Sequence, residues 1–152
     1  MTSNSARKIN ILVVDNGDDV AETTATMLQQ LGYGAQAEVE SLAGLRAFSD
    51  EPERFDLAII EPAMPELFPR SARKNSPLAP ELTGLELAVR FRRIKQGLPV
   101  LFCAKNMEPA LAEEIKAAGF PEPVLKPLTS GELDEMIHRV SSKRFSQPII
   151  RS

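Results

Sequence analysis

Five short apolar runs alternate with five segments of helical periodicity, and this alternation constrains the fold more than any other feature of the chain. The runs are typical of buried strands, because turn and helix-start residues follow them. They lie at residues 9–14, 34–39, 57–60, 99–103 and 124–125. Parallel strands require crossover helices, so we predict an α/β protein whose parallel sheet carries helices on both faces.

The helical segments lie at residues 20–31, 41–48, 85–95, 108–118 and 129–140. Gly32 and Gly119 are expected to end the first and fourth of these helices. Ser41 is expected to cap the second, and Thr129 or Ser130 the last. The acidic residues Asp18 and Asp19 in the first turn are also expected to act as caps.

Length and composition predict a single domain. With 152 residues, 43% of them hydrophobic, the chain can bury one complete core. We place that domain at residues 1–142, with an inserted loop at 66–82, and expect 143–152 to form a short C-terminal tail. Such a tail is too short to be an effector domain.

Net charge, cysteine content and the length of the apolar runs limit the partners and the cell compartment that we expect. The net charge of −3 gives no basic field for nucleic acid. The single cysteine, Cys103, permits no internal disulfide and is expected in the core. No apolar run approaches the roughly 18 residues of a membrane span. We therefore expect a cytoplasmic protein that binds neither nucleic acid nor membrane.

Two acids follow predicted strands and mark the candidate site. Glu61 comes directly after the run Leu57–Ile60, and Asp15 follows the first run. In open α/β sheets, ligands and chemistry are found in the crevice outside the carboxyl ends of the strands. Both carboxylates are therefore expected at that edge.

Five motifs follow one another along the chain: Val13-Val14-Asp15, Glu61-x-x-Met64-Pro65, Gly84-Leu85-Glu86-Leu87, Pro99-Val100 and Lys126-Pro127. In this order, over residues 9–140, the chain resembles the receiver domain of two-component response regulators. The intervals from Asp15 to Glu61 and from Ala104 to Lys126 match the family spacing. The resemblance implies a flavodoxin-like (βα)5 fold, a doubly wound five-stranded sheet with strand order 2-1-3-4-5.

The resemblance also implies a reaction, in which an aspartate accepts a phosphoryl group from a phosphohistidine with the help of Mg²⁺. Glu61 stands at the phosphoacceptor position, with its carboxylate one methylene further out. A misplacement on that scale can cost about 100-fold in rate. Asn16 stands at the second acid. A weak Mg²⁺ site at Asp15, Asn16 and Glu61 is therefore one reading, and a simple turn without any cofactor is the other.

The residues that read a phosphoryl group in the family are also altered. Ala104 replaces the hydroxyl residue, and Pro123 replaces the switchable aromatic residue. Lys126-Pro127 is retained, and in the family this peptide bond is commonly cis. The inserted loop carries Arg70, Arg73 and Lys74. These residues are predicted to bind an acidic partner surface or to fold back onto the site, and a mobile solvated loop is the alternative.

Together these departures predict a pseudo-receiver, a signalling module that is not an enzyme and acts through protein contacts. A histidine kinase, an output protein or another regulator is the expected partner, and a homodimer is left open. Glu61 either imitates the phosphorylated state or only pairs with Lys126. The alternative function is a working phosphoacceptor that uses Mg²⁺ and a non-standard acid such as Asp15. An unrelated small-molecule-binding domain is a third reading.

Overall fold

The computed structural model describes residues 8–64 and 82–151, with side chains described as far as residue 141. Five strands lie in these described residues, namely β1 (Asn10–Val14), β2 (Gly34–Glu38), β3 (Leu57–Ile60), β4 (Val100–Ala104) and β5 (Val124–Leu125). The same part of the chain contains the α-helices α1 (Val20–Gln30), α2 (Ser41–Asp50), α3 (Gly84–Ile94), α4 (Pro109–Ala117) and α5 (Ser130–Arg151). A short 3₁₀ helix, Pro52–Arg54, precedes β3.

The strands form one parallel sheet in the order β2-β1-β3-β4-β5. The predicted flavodoxin-like fold and its strand order are confirmed. β1 pairs along its whole length with β2, from Asn10 opposite Gly34 to Val14 opposite Glu38. β5 pairs with β4 at only two positions, Cys103 with Val124 and Ala104 with Leu125. The sheet is therefore much shorter at its β5 edge.

Two apolar layers enclose the sheet, because successive side chains of a strand point to opposite faces. One layer joins the sheet to α2, α3 and α4, and Leu12, Phe48, Leu87 and Ile115 belong to it. The other layer joins the sheet to α1 and α5 through residues that alternate with the first set along the strands. The expectation of helices on both faces is confirmed.

Some of the predicted helix caps are observed and others are not. Thr129 and Glu132 form a reciprocal capping box at the start of α5. Asp19 occupies the N-cap of α1 with a φ of 58°, but its side chain makes no capping hydrogen bond. Ser41 is the first residue of α2, after Glu40, and no side chain caps that helix. The capping roles predicted for Asp19 and Ser41 are therefore wrong.

Helix α5 extends further than the sequence pattern indicates. It continues to Arg151, so residues 143–151, which we predicted as a tail, prolong the helix. No glycine follows Val140 to provide the usual C-cap. Within residues 8–64 and 82–151, no helix is long and apolar enough to cross a membrane.

Candidate functional site

Four of the predicted site positions meet at the carboxyl edge of the sheet. Asp15 and Glu61 directly follow β1 and β3, Ala104 ends β4, and Lys126 directly follows β5. Parallel strands deliver their carboxyl ends to the same side, and this brings residues from distant parts of the chain together. The Lys126 backbone N–H donates to the Ala104 carbonyl at 2.8 Å, which fixes the position of the lysine. The Lys126–Pro127 peptide bond is cis, as the resemblance implies.

Lys126 bridges the two acids. Its Nζ lies 2.5 Å from Asp15 Oδ2 and 2.8 Å from Glu61 Oε1. The lysine side chain is 17% exposed, whereas those of Asp15 and Glu61 are only 7% and 2% exposed. Burial lowers the pKa of Lys126, but the hydrogen bonds with Asp15 and Glu61 and the negative charges of these two acids together raise it by more. The ammonium group is therefore charged at neutral pH, and it offsets part of the buried negative charge.

Two backbone N–H groups complete the surroundings of Glu61. The Ala63 N–H donates to Oε2 at 3.0 Å, and the Lys105 N–H donates to Oε1 at 3.2 Å. Ala63 lies in the turn after β3, and Lys105 is the first residue after β4. The glutamate therefore links the ends of two neighbouring strands. Both of its carboxylate oxygens are occupied by donors.

Asp15 is held in a similar way. Its Oδ1 accepts a hydrogen bond from the Gly17 N–H at 2.9 Å, and its Oδ2 faces Lys126. The backbone N–H of Asp15 donates to the Glu38 carbonyl at the end of β2. The amide oxygen of Asn16 is buried and lacks a hydrogen-bond donor among the described residues.

These residues form a poor donor set for Mg²⁺. The ion requires near-octahedral oxygen ligands, usually one or two carboxylates and several waters. Here all four carboxylate oxygens of Asp15 and Glu61 accept hydrogen bonds, and Lys126 supplies a cation between them. Asn16 brings no charge. In the described part of the chain, no group of three His, Cys, Asp or Glu side chains could hold a metal. The occupied carboxylate oxygens and the cation between them disfavour the ion, and the weak magnesium site at Asp15, Asn16 and Glu61 stays a prediction.

The other predicted positions bring no polar side chain to this cluster or lie outside the described residues. Ala104 is fully buried, and its methyl group brings no hydrogen-bond donor to the site. Pro123 is half-buried just before β5. Burial raises the pKa of the Cys103 thiol to about 12, consistent with a core residue. Arg70, Arg73 and Lys74 lie outside the described residues, and so does most of the predicted insert at 66–82.

Sequence reasoning missed the backbone donors, and it named Gly84 in a motif without predicting its close approach to Glu61. The N–H groups of Ala63 and Lys105 have no signature in the sequence, because every residue except proline carries one. Gly84 begins α3 directly beside the site, and a Cβ there would lie 2.0 Å from the Glu61 carbonyl oxygen. The pair Thr83-Gly84 was the available signal, since Thr83 and Glu86 form a capping box that fixes the start of α3.

No family model matches the chain, and no curated protein matches it significantly. Solved structures do resemble it. The CheY-like receiver domain protein from Methanospirillum hungatei has a TM-score of 0.75 and 18% identity, over 93% of this chain and 99% of that one. The fold is that of a CheY-like receiver domain.

Two further solved structures have the same fold. The chemotaxis protein CheY4 of Vibrio cholerae has a TM-score of 0.68 and 24% identity, over 88% of this chain and 99% of its own. The signal receiver domain of a modulated diguanylate cyclase from Desulfovibrio desulfuricans has a TM-score of 0.70 and 21% identity, over 91% and 97% of the two chains. At these identities the similarity concerns the fold.

Proposed function

We propose that the protein is a pseudo-receiver of two-component signalling, which works without phosphorylation and acts through protein contacts. The observation that carries the proposal is the state of the Glu61 carboxylate. It is 2% exposed and accepts hydrogen bonds from the Lys126 ammonium and from the N–H groups of Ala63 and Lys105. A nucleophile has to reach the incoming phosphorus atom, and this carboxylate is neither accessible nor free of donors.

In this proposal, Glu61 takes the place of a transferable group. Its additional methylene carries the carboxylate towards Lys126 and the Lys105 N–H, so the end of β4 is tied to the end of β3 through one buried anion. The anion carries one charge, whereas a phosphoryl group carries about −1.5 to −2. Because the anion is part of the chain, the site stays in a single state and has no on and off forms.

The proposed partners are signalling proteins, for example a histidine kinase, an output protein or another regulator, and a homodimer is a further arrangement. The receiver fold supports this class of partner, because receiver domains generally interact with kinases and output domains. The site also lacks the arrangement that enzymatic phosphoryl transfer requires, namely a reachable nucleophile with a suitable metal site. The proposed role is therefore that of a binding module and not of an enzyme.

Incubation with acetyl phosphate and Mg²⁺, followed by intact-mass measurement, tests the proposal. We expect no mass gain in the native protein, and no change of backbone amide signals around residue 61 when beryllofluoride is added. The triple variant Glu61→Asp, Asn16→Asp, Ala104→Thr restores the two acids and the hydroxyl, and it serves as the matched control. A stoichiometric, base-labile adduct on the native chain would favour the alternative, a working phosphoacceptor that uses another acid such as Asp15.

A further inference from the structure

A groove of about 740 Å³ lies at the β5 edge of the sheet, on the opposite side from the Glu61 cluster. Its walls come from the end of α3, the start of β4, the segment between α4 and β5, and one side of α5. The groove lies where β5, which has only two residues, leaves the outer edge of the first half of β4 unpaired, while the inner edge of β4 pairs with β3. Pro121 and Pro123 precede β5, and proline has no N–H to extend the pairing.

Arg92 is the most unusual residue of this groove. Its Nε donates to the Leu98 carbonyl at 3.2 Å, and its Nη1 lies 3.5 Å from the Gly119 carbonyl oxygen. The guanidinium group lies over the Phe120 ring, 4.1 Å from the centroid. These contacts hold the cation in one orientation and leave its remaining N–H groups available.

The charge of Arg92 is not neutralised. Among the described residues it has no carboxylate within ion-pair distance, although other arginines of the chain do. Burial lowers the pKa of its guanidinium group, because part of the solvation of the charge is lost. A half-buried, oriented guanidinium group without a counterion is well suited to bind a carboxylate through two parallel hydrogen bonds.

The other groove residues add a second cation and an apolar wall. Arg139 lies on α5 and is 59% exposed, with Glu135 Oε2 at 3.5 Å from its Nη2. Phe120, Pro123 and Val124 provide rigid apolar surface. Glu122 is the only acid among the lining residues. The groove is open to solvent, so a bound segment can continue into the rest of its own protein.

We propose that this groove binds an acidic peptide segment of a partner protein. A Glu or Asp side chain of the segment pairs with Arg92, and an adjacent apolar side chain packs against Pro123 and Val124, which are half-buried. The peptide-binding proposal rests on the proposed function in one respect, namely that the partner is a protein. It concerns a surface remote from Glu61 and requires no phosphoryl chemistry.

A fluorescein-labelled synthetic peptide, Gly-Leu-Glu-Glu-Phe-Leu-Gly, tests the proposal by fluorescence anisotropy with the full-length chain. The same peptide with both Glu replaced by Gln is the reference. We expect the acidic peptide to bind at least about tenfold more tightly, and its affinity to fall as the salt concentration rises. The backbone amide signals of Gly119, Phe120, Glu122 and Val124 should shift in heteronuclear spectra.

Two variants and one control assign the binding to the groove. Arg92→Ala should weaken the binding of the acidic peptide about tenfold, because one charge-assisted contact is lost. Arg93→Ala is the matched control, since Arg93 is the exposed neighbour on the same helix and does not line the groove; it should change affinity less than twofold. Arg139→Glu leaves the buried contacts of Arg92 intact and should also weaken binding, so the test does not depend on how well Arg92→Ala folds.

Equal binding of the two peptides, or equal effects of Arg92→Ala and Arg93→Ala, would overturn the groove proposal. The proposal would also be overturned if phenyl phosphate, but not the acidic peptide, shifted the amide signals of the groove in a way that requires Arg92. That result would favour a small-molecule anion site. None of these outcomes changes the reading of Glu61. Conversely, a phosphoryl adduct on the native chain would overturn the pseudo-receiver and leave the peptide result as it stands.

Discussion

Glu61 differs from an aspartate by one methylene, and this difference decides where its charge lies. The carboxylate reaches Lys126, Ala63 and Lys105 and is shielded from solvent. Removing one partner of a buried charged network leaves the other groups unsatisfied, and hydrogen bonds to charged groups contribute about 1.5–3 kcal/mol each. The site therefore contributes to the stability of the fold, whatever its signalling role.

The first prediction is that Glu61→Gln lowers the free energy of unfolding by about 2 kcal/mol. The neutral amide pairs less well with Lys126, and its NH₂ group faces the hydrogen-bond donors that now surround the carboxylate. Urea unfolding followed by circular dichroism measures the change. Glu53→Gln is the control, because Glu53 is 90% exposed and lies 3.7 Å from Lys95. It should change stability by less than about 0.5 kcal/mol. Equal effects of the two substitutions would show that the buried network contributes nothing.

The second prediction concerns alkaline pH. The pKa values of Cys103, Tyr33 and Lys126 are all raised in the folded protein. Burial is the main cause for Cys103 and Tyr33, while for Lys126 the hydrogen bonds to the two acids and their negative charges together outweigh the opposite effect of burial. A raised folded-state pKa means that the unfolded chain loses its proton first. Stability is then complete below the unfolded pKa and is lost as the pH rises towards the folded value.

Urea midpoints should therefore begin to fall as the pH rises past about 8.5, the ordinary pKa of a thiol in the unfolded chain. In the double variant Cys103→Ala, Tyr33→Phe, the fall should begin only above about pH 10.5, where the lysine side chain of the unfolded chain loses its proton while folded Lys126, whose pKa is raised, still keeps it. A midpoint that stays constant up to pH 11 in this variant would contradict the raised lysine pKa.

At the scale of the elements, periodicity was sufficient to find the five strands and five α-helices that lie within residues 8–64 and 82–151. The predicted strand at residues 124–125 matches β5, and the predicted helix at 85–95 differs from α3 by one residue at each end. Capping was predicted less well. Asp19 stands at an N-cap with a left-handed backbone, and this conformation follows from the local turn, which the residue type alone does not specify.

The third prediction concerns the junction between α3 and the end of β3. A Cβ on Gly84 would lie 2.0 Å from the Glu61 carbonyl oxygen and 2.7 Å from the Pro62 Cα, both of them backbone atoms that cannot move independently. Gly84→Ala should therefore destabilise the protein by about 1–3 kcal/mol. It should also shift the amide signals of Ala63 and Lys105, because the turn that carries Glu61 has to move.

Gly131→Ala is the matched control for this substitution. Gly131 lies in the first turn of α5, and the nearest atom to its added Cβ is Thr129 Oγ1 at 4.0 Å. Alanine there should stabilise the helix by about 0.5–1 kcal/mol. Denaturant midpoints of both variants give the comparison. A stabilising Gly84→Ala would mean that α3 is not packed against the Glu61 turn.

At the scale of the whole molecule, the sequence predicted which residues meet but not how they bond. Strand order brings Asp15, Glu61 and Lys126 together, and that order follows from the βα alternation and the resemblance. The sequence left open whether Glu61 pairs with Lys126, and the structure shows that Lys126 contacts both acids. The groove around Arg92 had no sequence signal, because it arises from the shortness of β5 and from contacts between distant segments.

The last prediction concerns the predicted insert and follows from how the chain is held on either side of it. The Gly84 N–H donates to the Met64 carbonyl at 3.1 Å, so two residues far apart in sequence are joined by a backbone hydrogen bond. Met64 is 2% exposed, and Leu82 packs against the same core. A short turn can therefore replace residues 66–81 without stretching the chain. Shortening such a loop about fourfold should stabilise the fold by about 1 kcal/mol, because less chain entropy is lost on folding.

Urea unfolding of the shortened protein should remain cooperative, and the amide signals of Ala63 and Lys105 should keep their positions. Pull-downs with the native and the shortened protein then separate the two roles that the insert has in our hypothesis. Loss of partner recovery with an intact fold would assign binding to the basic residues Arg70, Arg73 and Lys74. Unchanged recovery would make the insert a spacer, and partner binding would then have to lie on the described surface, where the Arg92 groove is the candidate. Loss of cooperative folding would show that the segment supports the core, contrary to this prediction.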